Sequence, residues 1–366
     1  MAIYCKITNN YQFAIQGPHP DSCFQFGRLP AHPLPIQPDG LATFHMLCEG
    51  RGLSTEASEA LLSSISPDTL RTYRRMWSAF VGWSADQGHN AQISIPLVVD
   101  YLLFLFNKGY SSNYLNSARS SISFFSLDSL EIGNDVYVKR LFRYFYLHRP
   151  IRPKYATFWP VNKVLKLLKS WHPIEELDIK TLTLKTLALI ALTSSDRGQT
   201  LHLLNLKDMA FEGDHINFVI FSRVKTTRRV LKPTIVQCLS SDDEDLSVSS
   251  YVKAYIEKTK DWRSPDISNS SQFFLSFKTH KPVTKQSIAR WLTHVLSLAG
   301  IDTEKFSSHS YRGAGLSAAY KRGASIEAIL KAGNWTNVGT FKSFYNAPSS
   351  DSNTGKLILN HLGENL

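Results

Sequence analysis

Cysteine is scarce in this chain of 366 residues, and no two cysteines stand close together. Their scatter argues against a disulfide framework or a zinc motif. Long apolar runs are missing too, because the stretch at residues 98–106 is too short for a membrane span. The N-terminus lacks a basic segment followed by an apolar core, so no secretory signal is indicated. We therefore expect an intracellular protein without membrane association. The four cysteines are Cys5, Cys23, Cys48 and Cys238.

Acidic residues are too few to balance the basic ones. There are 30 Asp and Glu against 41 Lys and Arg, which leaves a net charge of +11. A surplus of this size favours a polyanionic partner, nucleic acid before membrane, although a basic soluble enzyme would share it. Hydrophobic residues make up 43% of the chain, which is enough to bury real cores, and its length suits two domains.

The short motifs of several enzyme classes are absent. The sequence has no glycine-rich phosphate loop ending in Lys-Ser or Lys-Thr, no HExxH pair and no GxSxG elbow. The acidic run SDDED at residues 241–245 suggests metal carboxylates, as in a transposase. Acids clustered in one loop match poorly with ligands that converge from separate elements. We therefore expect neither a metal nor a small-molecule cofactor.

Changes of pattern divide the chain. Residues 1–52 are proline-rich and aperiodic, which predicts an extended or disordered arm. Helical patterns fill 53–148 and predict an all-helical domain. Three prolines and several basic residues in 149–160 are typical of a linker. The remainder, 161–366, begins and ends with helices around a predicted β-hairpin whose strands are 215–224 and 228–238. The expected fold is mainly α with a small β-hairpin or sheet.

The segment 66–88 is the most informative helix of the first domain. Ser66 or Asp68 can cap it, and Pro67 suits its first turn. The helical period places apolar residues on one face and basic residues on the opposite face. A basic face of this kind suits contact with a DNA backbone, although a basic face that is simply solvated is commoner. The inward residues are Tyr73, Trp77, Phe80 and Val81, and the outward ones are Arg71, Arg74 and Arg75.

Candidate residues for phosphate chemistry stand in a definite order in the second part. They are Arg197, Lys225, the pair His309 and Arg312, Trp335, and Tyr345 ten positions after the tryptophan. Each is unremarkable alone, since a lone arginine is usually exposed and Tyr345 beside two phenylalanines is usually packed. Their conjunction favours one site. Ser307 and Ser308 are expected to cap the helix that carries Arg312, and Gly313 and Gly315 to allow close packing.

This order and the surrounding phrases resemble the tyrosine recombinase (phage-integrase-like) family, whose signature is Arg, Lys, His-x-x-Arg, His or Trp, and Tyr. Phrases such as SARSSISFF look most like eukaryotic DIRS-, Ngaro- or Crypton-type mobile-element recombinases. The resemblance implies an all-helical SAM-like core-binding domain followed by an α+β catalytic domain. It also implies a duplex DNA partner, a homo-tetramer on paired sites and a nuclear location.

The resemblance assigns roles that the chemistry supports. Tyr345 would attack a DNA phosphorus to give a 3′-phosphotyrosyl bond, without metal or ATP. Arg197 and Arg312 would donate paired hydrogen bonds to the non-bridging oxygens of the phosphate. Lys225 would protonate the leaving 5′-oxygen. His309 would assist proton transfer or hold the phosphate, and Trp335 would donate one hydrogen bond. The candidate DNA contacts are Arg71, Arg74, Arg75, Arg119, Arg223 and Arg228.

Two departures from the family pattern keep other hypotheses open. Thr200 stands where an acid is common, and the residues before Arg197 are Ser-Ser-Asp, where a glycine is common. A catalytically inactive DNA-binding protein derived from a mobile-element recombinase is therefore the first alternative. A type IB topoisomerase shares the nucleophilic chemistry and is a weaker alternative.

Overall fold

The computed structural model divides into two compact units, Met1–Arg152 and Pro153–Leu366. The division falls inside 149–160, where the sequence predicts a linker. The residues that the structure describes are 37–89, 93–126, 131–150, 155, 157–213, 215–222, 233–239, 241, 243–263, 271–333, 335 and 338–339. Within these residues, no helix combines the length and apolar character that a bilayer crossing needs.

The first unit is built from helices that begin at short polar capping residues. Ser54, Ser66, Ser94 and Ser111 each accept a hydrogen bond from a backbone N–H in the first turn, which satisfies one of the donors left open there. The helices are α1 (Gly40–Gly50), α2 (Thr55–Leu62), α3 (Pro67–Asp86), α4 (Ile95–Asn107), α5 (Ser112–Phe125) and α6 (Val136–His148).

Helix α1 corrects the prediction of an extended or disordered arm over 1–52. Asp39 caps α1, and Phe44 and Cys48 are buried in the core of the first unit. The prolines before this helix of eleven residues obscure its amphipathic pattern in the sequence. Burial of its apolar side stabilises the helix, because helix propensity alone is too weak for a segment of this length. Residues 1–36 lie outside the described part of the chain.

Helix α3 has the two faces that the sequence predicts. Trp77 and Phe80 are fully buried, and the Trp77 indole Nε1 donates to the Gln37 carbonyl oxygen at 3.0 Å. Tyr73 and Val81 are half-buried and pack against the same core. The three arginines of the opposite face are exposed. The assigned cap is Ser66, and Pro67 opens the helix.

The second unit surrounds one buried helix, α8. Its apolar residues cover nearly every side, so Leu182, Leu187 and Ile190 are all inaccessible to solvent. A helix that is apolar all round belongs in a core. The helices of this unit are α7 (Val161–Ser170), α8 (Ile179–Ser194), α9 (Gly198–His202), α10 (Val248–Thr259), α11 (Lys285–Leu298), α12 (Ser310–Lys321) and α13 (Ile326–Ala332).

A small antiparallel sheet with strand order β1-β2-β3 packs on this core. Its strands are β1 (Met209–Glu212), β2 (His215–Ile220) and β3 (Thr234–Leu239). Ile216 pairs with Cys238, and Phe218 pairs with Val236, so four buried side chains share the inner face. The hairpin prediction is confirmed, but β2 is shorter than predicted and β1 was not predicted. The mainly helical fold class with a small sheet is also confirmed.

Candidate active site

Arg312 lies on the first turn of α12 and is only 5% exposed. Its Nη1 donates to the Ser195 carbonyl oxygen at 3.2 Å, and its Nη2 donates to the Gly333 carbonyl oxygen. The Trp335 ring lies 4.6 Å from its Cζ, in cation–π contact. Two backbone acceptors and one aromatic face therefore fix the orientation of a permanently charged guanidinium.

The chain reaches Arg197 through a tight turn at the end of α8. Ser195 has a φ of 54°, the left-handed conformation that commonly ends helices. Arg197 follows as the residue before α9, and it is half-buried. Because the Ser195 carbonyl accepts from Arg312, this turn ties the segment that carries Arg197 to the Arg312 side chain.

Asp196, between these residues, is a feature that the sequence reading missed. Burial raises the pKa of its carboxyl group to about 6, against an opposing effect of the Arg312 and Arg197 guanidiniums. Both arginines therefore act electrostatically on one carboxylate. The unusual Ser-Ser-Asp frame before Arg197 is the signal in the sequence, but it does not by itself predict a buried carboxylate.

His309 is exposed and occupies the position before α12. The expected capping by Ser307 and Ser308 is wrong, because α12 has no side-chain cap. The Ser307 hydroxyl is hydrogen bonded to the Tyr155 hydroxyl at 3.2 Å instead, and the Ser310 hydroxyl accepts from Trp159 Nε1 at 2.8 Å. Tertiary contacts, rather than a local cap, hold the turn that presents His309.

The glycines after Arg312 permit close packing, as predicted. A Cβ on Gly315 would lie 3.2 Å from the Leu192 carbonyl oxygen and 3.3 Å from the Ser195 hydroxyl. A Cβ on Gly313 would overlap the Phe158 ring. Helix α12 therefore lies directly against the end of α8, which is the arrangement that brings Arg312 to the Ser195 carbonyl.

A shallow surface depression of about 470 Å³, with a mostly apolar exposed lining, lies between α11 and the turn that precedes His309. Ser307 and Ser308 line one side of it, and α11 contributes the other side. The α11 residues include the exposed Arg290 and His294. Hydroxyl groups with an arginine and an imidazole suit a phosphate group, because all of them donate hydrogen bonds. Arg290, His294 and the two serines therefore supply the polar groups of an otherwise apolar depression.

Four of the six candidate catalytic residues lie in the described part of the chain. Arg312 contacts Trp335 and the turn that leads to Arg197, and His309 precedes Arg312 by three residues. The predicted site residues that lie outside the described residues are Lys225, Tyr345, Arg223 and Arg228.

The remaining candidate DNA contacts all lie in the first unit. Arg71 is paired with Asp68 at 3.0 Å, and Arg74 with Asp39 at 3.4 Å. Arg75 is exposed on the same helix. Arg119 on α5 donates to Asn116 and lies 4.7 Å from the Phe142 ring centroid. Exposed ion pairs of this kind are weak, so these side chains can exchange partners at little cost.

Two acids of the acidic run contact basic side chains. Asp243 pairs with Lys169, and Asp245 lies 3.2 Å from the Nδ1 of His172. In the described parts of the chain, no group of three His, Cys, Asp or Glu side chains is placed to hold a metal ion.

Comparison with known proteins gives one family. The model of the phage integrase family matches residues 160–351, which is more than half of the chain. No curated protein matches the chain in sequence.

Solved structures of recombinases have a similar fold. The XerH site-specific recombinase, bound to palindromic difH substrate in a post-cleavage complex, aligns with a TM-score of 0.58 at 13% identity, covering 87% of this chain and 85% of its own. The Tn1549 transposon integrase, in complex with transposon right end DNA, aligns with a TM-score of 0.58 at 14% identity, covering 89% of this chain and 99% of its own.

Proposed function

Because this chain belongs to the phage integrase family, we propose that it is a site-specific recombinase that breaks and rejoins duplex DNA. The observation that carries the proposal is the buried Arg312 guanidinium, which is oriented by two backbone carbonyls beside the turn that leads to Arg197. Burying a permanent charge is expensive unless the charge is hydrogen bonded or paired, and the two carbonyls meet this need for Arg312. In this proposal the Arg312 and Arg197 guanidiniums both bind the phosphodiester.

The reaction proceeds by transesterification. The Tyr345 hydroxyl oxygen attacks the phosphorus and forms a 3′-phosphotyrosyl bond, while the bond from phosphorus to the 5′-oxygen breaks. The leaving oxygen takes a proton from Lys225 and becomes a 5′-hydroxyl. The reverse attack by a 5′-hydroxyl rejoins the strand. Each step exchanges one phosphate ester for another, so neither ATP nor a metal ion is consumed.

The arginines stabilise the charge that develops during the attack. The non-bridging oxygens become more negative in the pentavalent transition state, and Arg197 and Arg312 donate to them as permanent cations. The Trp335 ring covers the Arg312 guanidinium, so Trp335 acts on the phosphate partly by holding that arginine, in addition to its own N–H donor. His309, exposed at the position before α12, holds the phosphate or assists transfer of the tyrosine proton.

DNA binding extends to the first unit in this proposal. The exposed face of α3 contacts the DNA backbone through Arg71, Arg74 and Arg75. Arg119 on α5 makes a further contact with the DNA. Arg223 and Arg228 add contacts near Lys225. We further propose a DIRS-, Ngaro- or Crypton-type mobile-element origin, a nuclear location and assembly as a homo-tetramer on paired sites, all of which rest on the resemblance of the sequence phrases alone.

A catalytically inactive DNA-binding protein is the second candidate. The observation in its favour is the frame of Arg197, where Thr200 is buried and the acid precedes the arginine instead of following it. This candidate predicts salt-sensitive duplex binding and no covalent adduct on any substrate. A type IB topoisomerase would instead relax supercoiled plasmid without a specific site.

The test is covalent capture on nicked duplexes. The protein is incubated with a library of nicked "suicide" duplexes, including the DNA that flanks its gene, and adducts that survive SDS are isolated and sequenced. We expect an adduct from the wild type and none from Tyr345→Phe. The matched control is Tyr320→Phe, which alters an exposed tyrosine of α12 and should keep the adduct. An adduct that persists in Tyr345→Phe would refute the nucleophile, and duplex binding without any adduct would favour the inactive protein.

A further inference from the structure

An open cavity of about 390 Å³ lies in the first unit, whereas the proposed chemistry uses residues of the second. Cavities of this size bind small ligands or single groups of larger ones. Two of its aromatic residues reach solvent, since Phe104 is 36% exposed and Tyr110 is 43% exposed. Its lining consists chiefly of Trp83, Tyr101, Phe104, Lys108, Tyr110 and Tyr114.

The aromatic side chains form two groups around this cavity. On α3 and α4, the Trp83 ring centroid lies 5.1 Å from that of Tyr101 and 5.7 Å from that of Phe104. At the start of α5, Tyr110 and Tyr114 are stacked with centroids 4.3 Å apart. Mutual packing restricts the motion of these rings. A flat ligand would therefore meet rigid surfaces, which lowers the entropic cost of binding.

The charge at the cavity identifies the ligand class. The Lys108 ammonium lies 5.6 Å from the Phe104 ring centroid, and no lining residue is acidic. A cation would be repelled by Lys108, which disfavours the methylated ammonium groups that aromatic cages otherwise bind. A phenol hydroxyl such as that of Tyr101 can donate a hydrogen bond to an anionic group. The cavity suits an aromatic group attached to an anion.

The cavity is continuous with the basic face of α3. Ala79 lines the cavity, and Arg75 lies four residues earlier, one turn away on the same side of the helix. A polyanion that contacts this face would pass the mouth of the cavity. A nucleobase with its phosphate has both properties that the lining selects, and stacking on aromatic side chains beside basic residues is the usual mode of binding single strands.

We propose that this cavity binds an unpaired base of single-stranded DNA, with the base against the aromatic rings and its phosphate beside Lys108. The inference goes beyond the proposed function, because cleavage of duplex DNA in the second unit does not require it. It gives the first unit a way to hold a strand that has been released from pairing.

The experiment separates base stacking from backbone attraction. The full-length protein is titrated into a labelled oligothymidine of about 12 nucleotides and into an abasic oligonucleotide of equal length and charge, with fluorescence anisotropy as the readout. We expect at least about five-fold tighter binding of the base-containing strand, which corresponds to the stacking of one base. Equal affinity for the two strands would overturn the proposal.

Variants locate the effect. Phe104→Ala and Tyr110→Ala should each bring the ratio of the affinities for the base-containing and the abasic strand close to one. Lys108→Gln should instead weaken the binding of both strands. The matched control is Tyr137→Ala, which removes a 64% exposed tyrosine of α6 and should leave the ratio unchanged. A similar loss in Tyr137→Ala would refute the site, and circular dichroism checks that each variant folds.

Two further measurements separate this inference from others. Phe104→Ala should still form the covalent adduct on nicked duplex, so the inference and the proposed function can fail independently. Aromatic grooves also bind proline-rich peptides, and the chain has such a sequence at residues 27–38. A synthetic peptide of that sequence should not displace oligothymidine from the wild type. Displacement together with equal affinity for abasic DNA would assign the cavity to peptide binding instead.

Discussion

The two units of the molecule treat charge in opposite ways. Among the described residues, the buried polar side chains of the first unit are uncharged, and its arginines lie on the surface or over aromatic rings. The second unit buries two cationic side chains, Lys185 and Arg312. The first unit therefore stabilises its interior without charge, whereas the second accepts the desolvation of charge inside its fold.

The two units also differ in the contacts that hold their interiors together. Aromatic contacts such as Phe106 with Phe145, at 4.5 Å between ring centroids, hold the first unit together. In the second unit Lys185 donates to the Trp171 carbonyl oxygen at 2.7 Å and to the Tyr251 hydroxyl at 2.6 Å. Buried charges that are paired in this way add little stability compared with apolar side chains. Substitutions should therefore affect the two units differently.

The largest expected effect is on the reaction, from Arg312→Ala. Removing one donor to the developing charge slows such reactions by about 10²–10³-fold, and the Ser195 and Gly333 carbonyls lose their partner. We expect a comparable fall in the rate of adduct formation. Arg312→Lys should be nearly as slow, because an ammonium group cannot donate two parallel hydrogen bonds to the phosphate oxygens as a guanidinium does. Arg322→Ala, an exposed arginine at the end of α12, is the control. An Arg312→Lys variant as fast as the wild type would contradict the bidentate role.

The largest effect on stability should come from the first unit, with Trp77→Ala. The side chain is inaccessible to solvent, packs on Phe125 and donates to Gln37. Truncating a buried tryptophan lowers the free energy of unfolding by about 3–5 kcal/mol. Urea unfolding followed by circular dichroism measures this loss. Tyr137→Ala on the surface should change stability by less than about 0.5 kcal/mol, and equal losses would show that the aromatic core is not what stabilises this unit.

A smaller effect is expected from Lys185→Met in the second unit. The variant leaves two acceptors unpaired, which costs about 1–3 kcal/mol, but it also removes a desolvated charge. Burial lowers the pKa of Lys185 from 10.5 to about 8, although Asp245 and Asp243 oppose this shift. The unfolded chain therefore binds more protons between pH 8 and 10.5, so the Lys185 contribution to stability rises with pH there.

The pH dependence of the Lys185 contribution can be measured by comparing the wild type with the variant. The free energy of unfolding of the wild type, minus that of Lys185→Met, should increase from pH 8 to pH 10. Lys180→Met changes an exposed lysine of the same helix and should give no such increase. A difference that is flat with pH would mean that Lys185 stays protonated in the fold.

The smallest expected effect concerns Asp196, again through pH. Its carboxyl pKa is raised from 3.8 to about 6, so the folded chain binds the extra proton in this window. Its contribution to stability is therefore greatest at low pH and declines as the pH rises through 6. Asp196→Asn should flatten this decline, as measured by thermal unfolding at pH 4.5 and pH 7. An unchanged decline would place the titrating group elsewhere.

The sequence predicts elements whose signals are local. Ser66 and Pro67 mark the start of α3, and the helical period assigns Trp77 and Phe80 to its buried face. Alternation of apolar residues likewise predicts the hairpin of β2 and β3. The order of Arg197, His309, Arg312 and Trp335 predicted the family, and the structure places Arg312 against Trp335 and against the turn before Arg197.

The features that the sequence did not reveal depend on distant partners. Lys185 lies in an apolar helical pattern, and its hydrogen-bond acceptor Tyr251 is 66 residues away. Ser307 has the chemistry of a cap, yet its hydroxyl is bonded to Tyr155 across 152 positions. The burial of Asp196 likewise follows from tertiary packing, which local propensity does not encode. Such contacts decide the electrostatics of the site more than its residue order does.

The joint between α8 and α12 has a mechanical consequence. Gly315 lies against the Leu192 carbonyl oxygen, and Arg312 bonds to Ser195, two residues before Arg197. A shift of α12 would therefore also move the turn that leads to Arg197, so the two segments are mechanically coupled. If a conformational change gates the proposed strand cleavage, this joint predicts that the Arg197 and Arg312 segments move together.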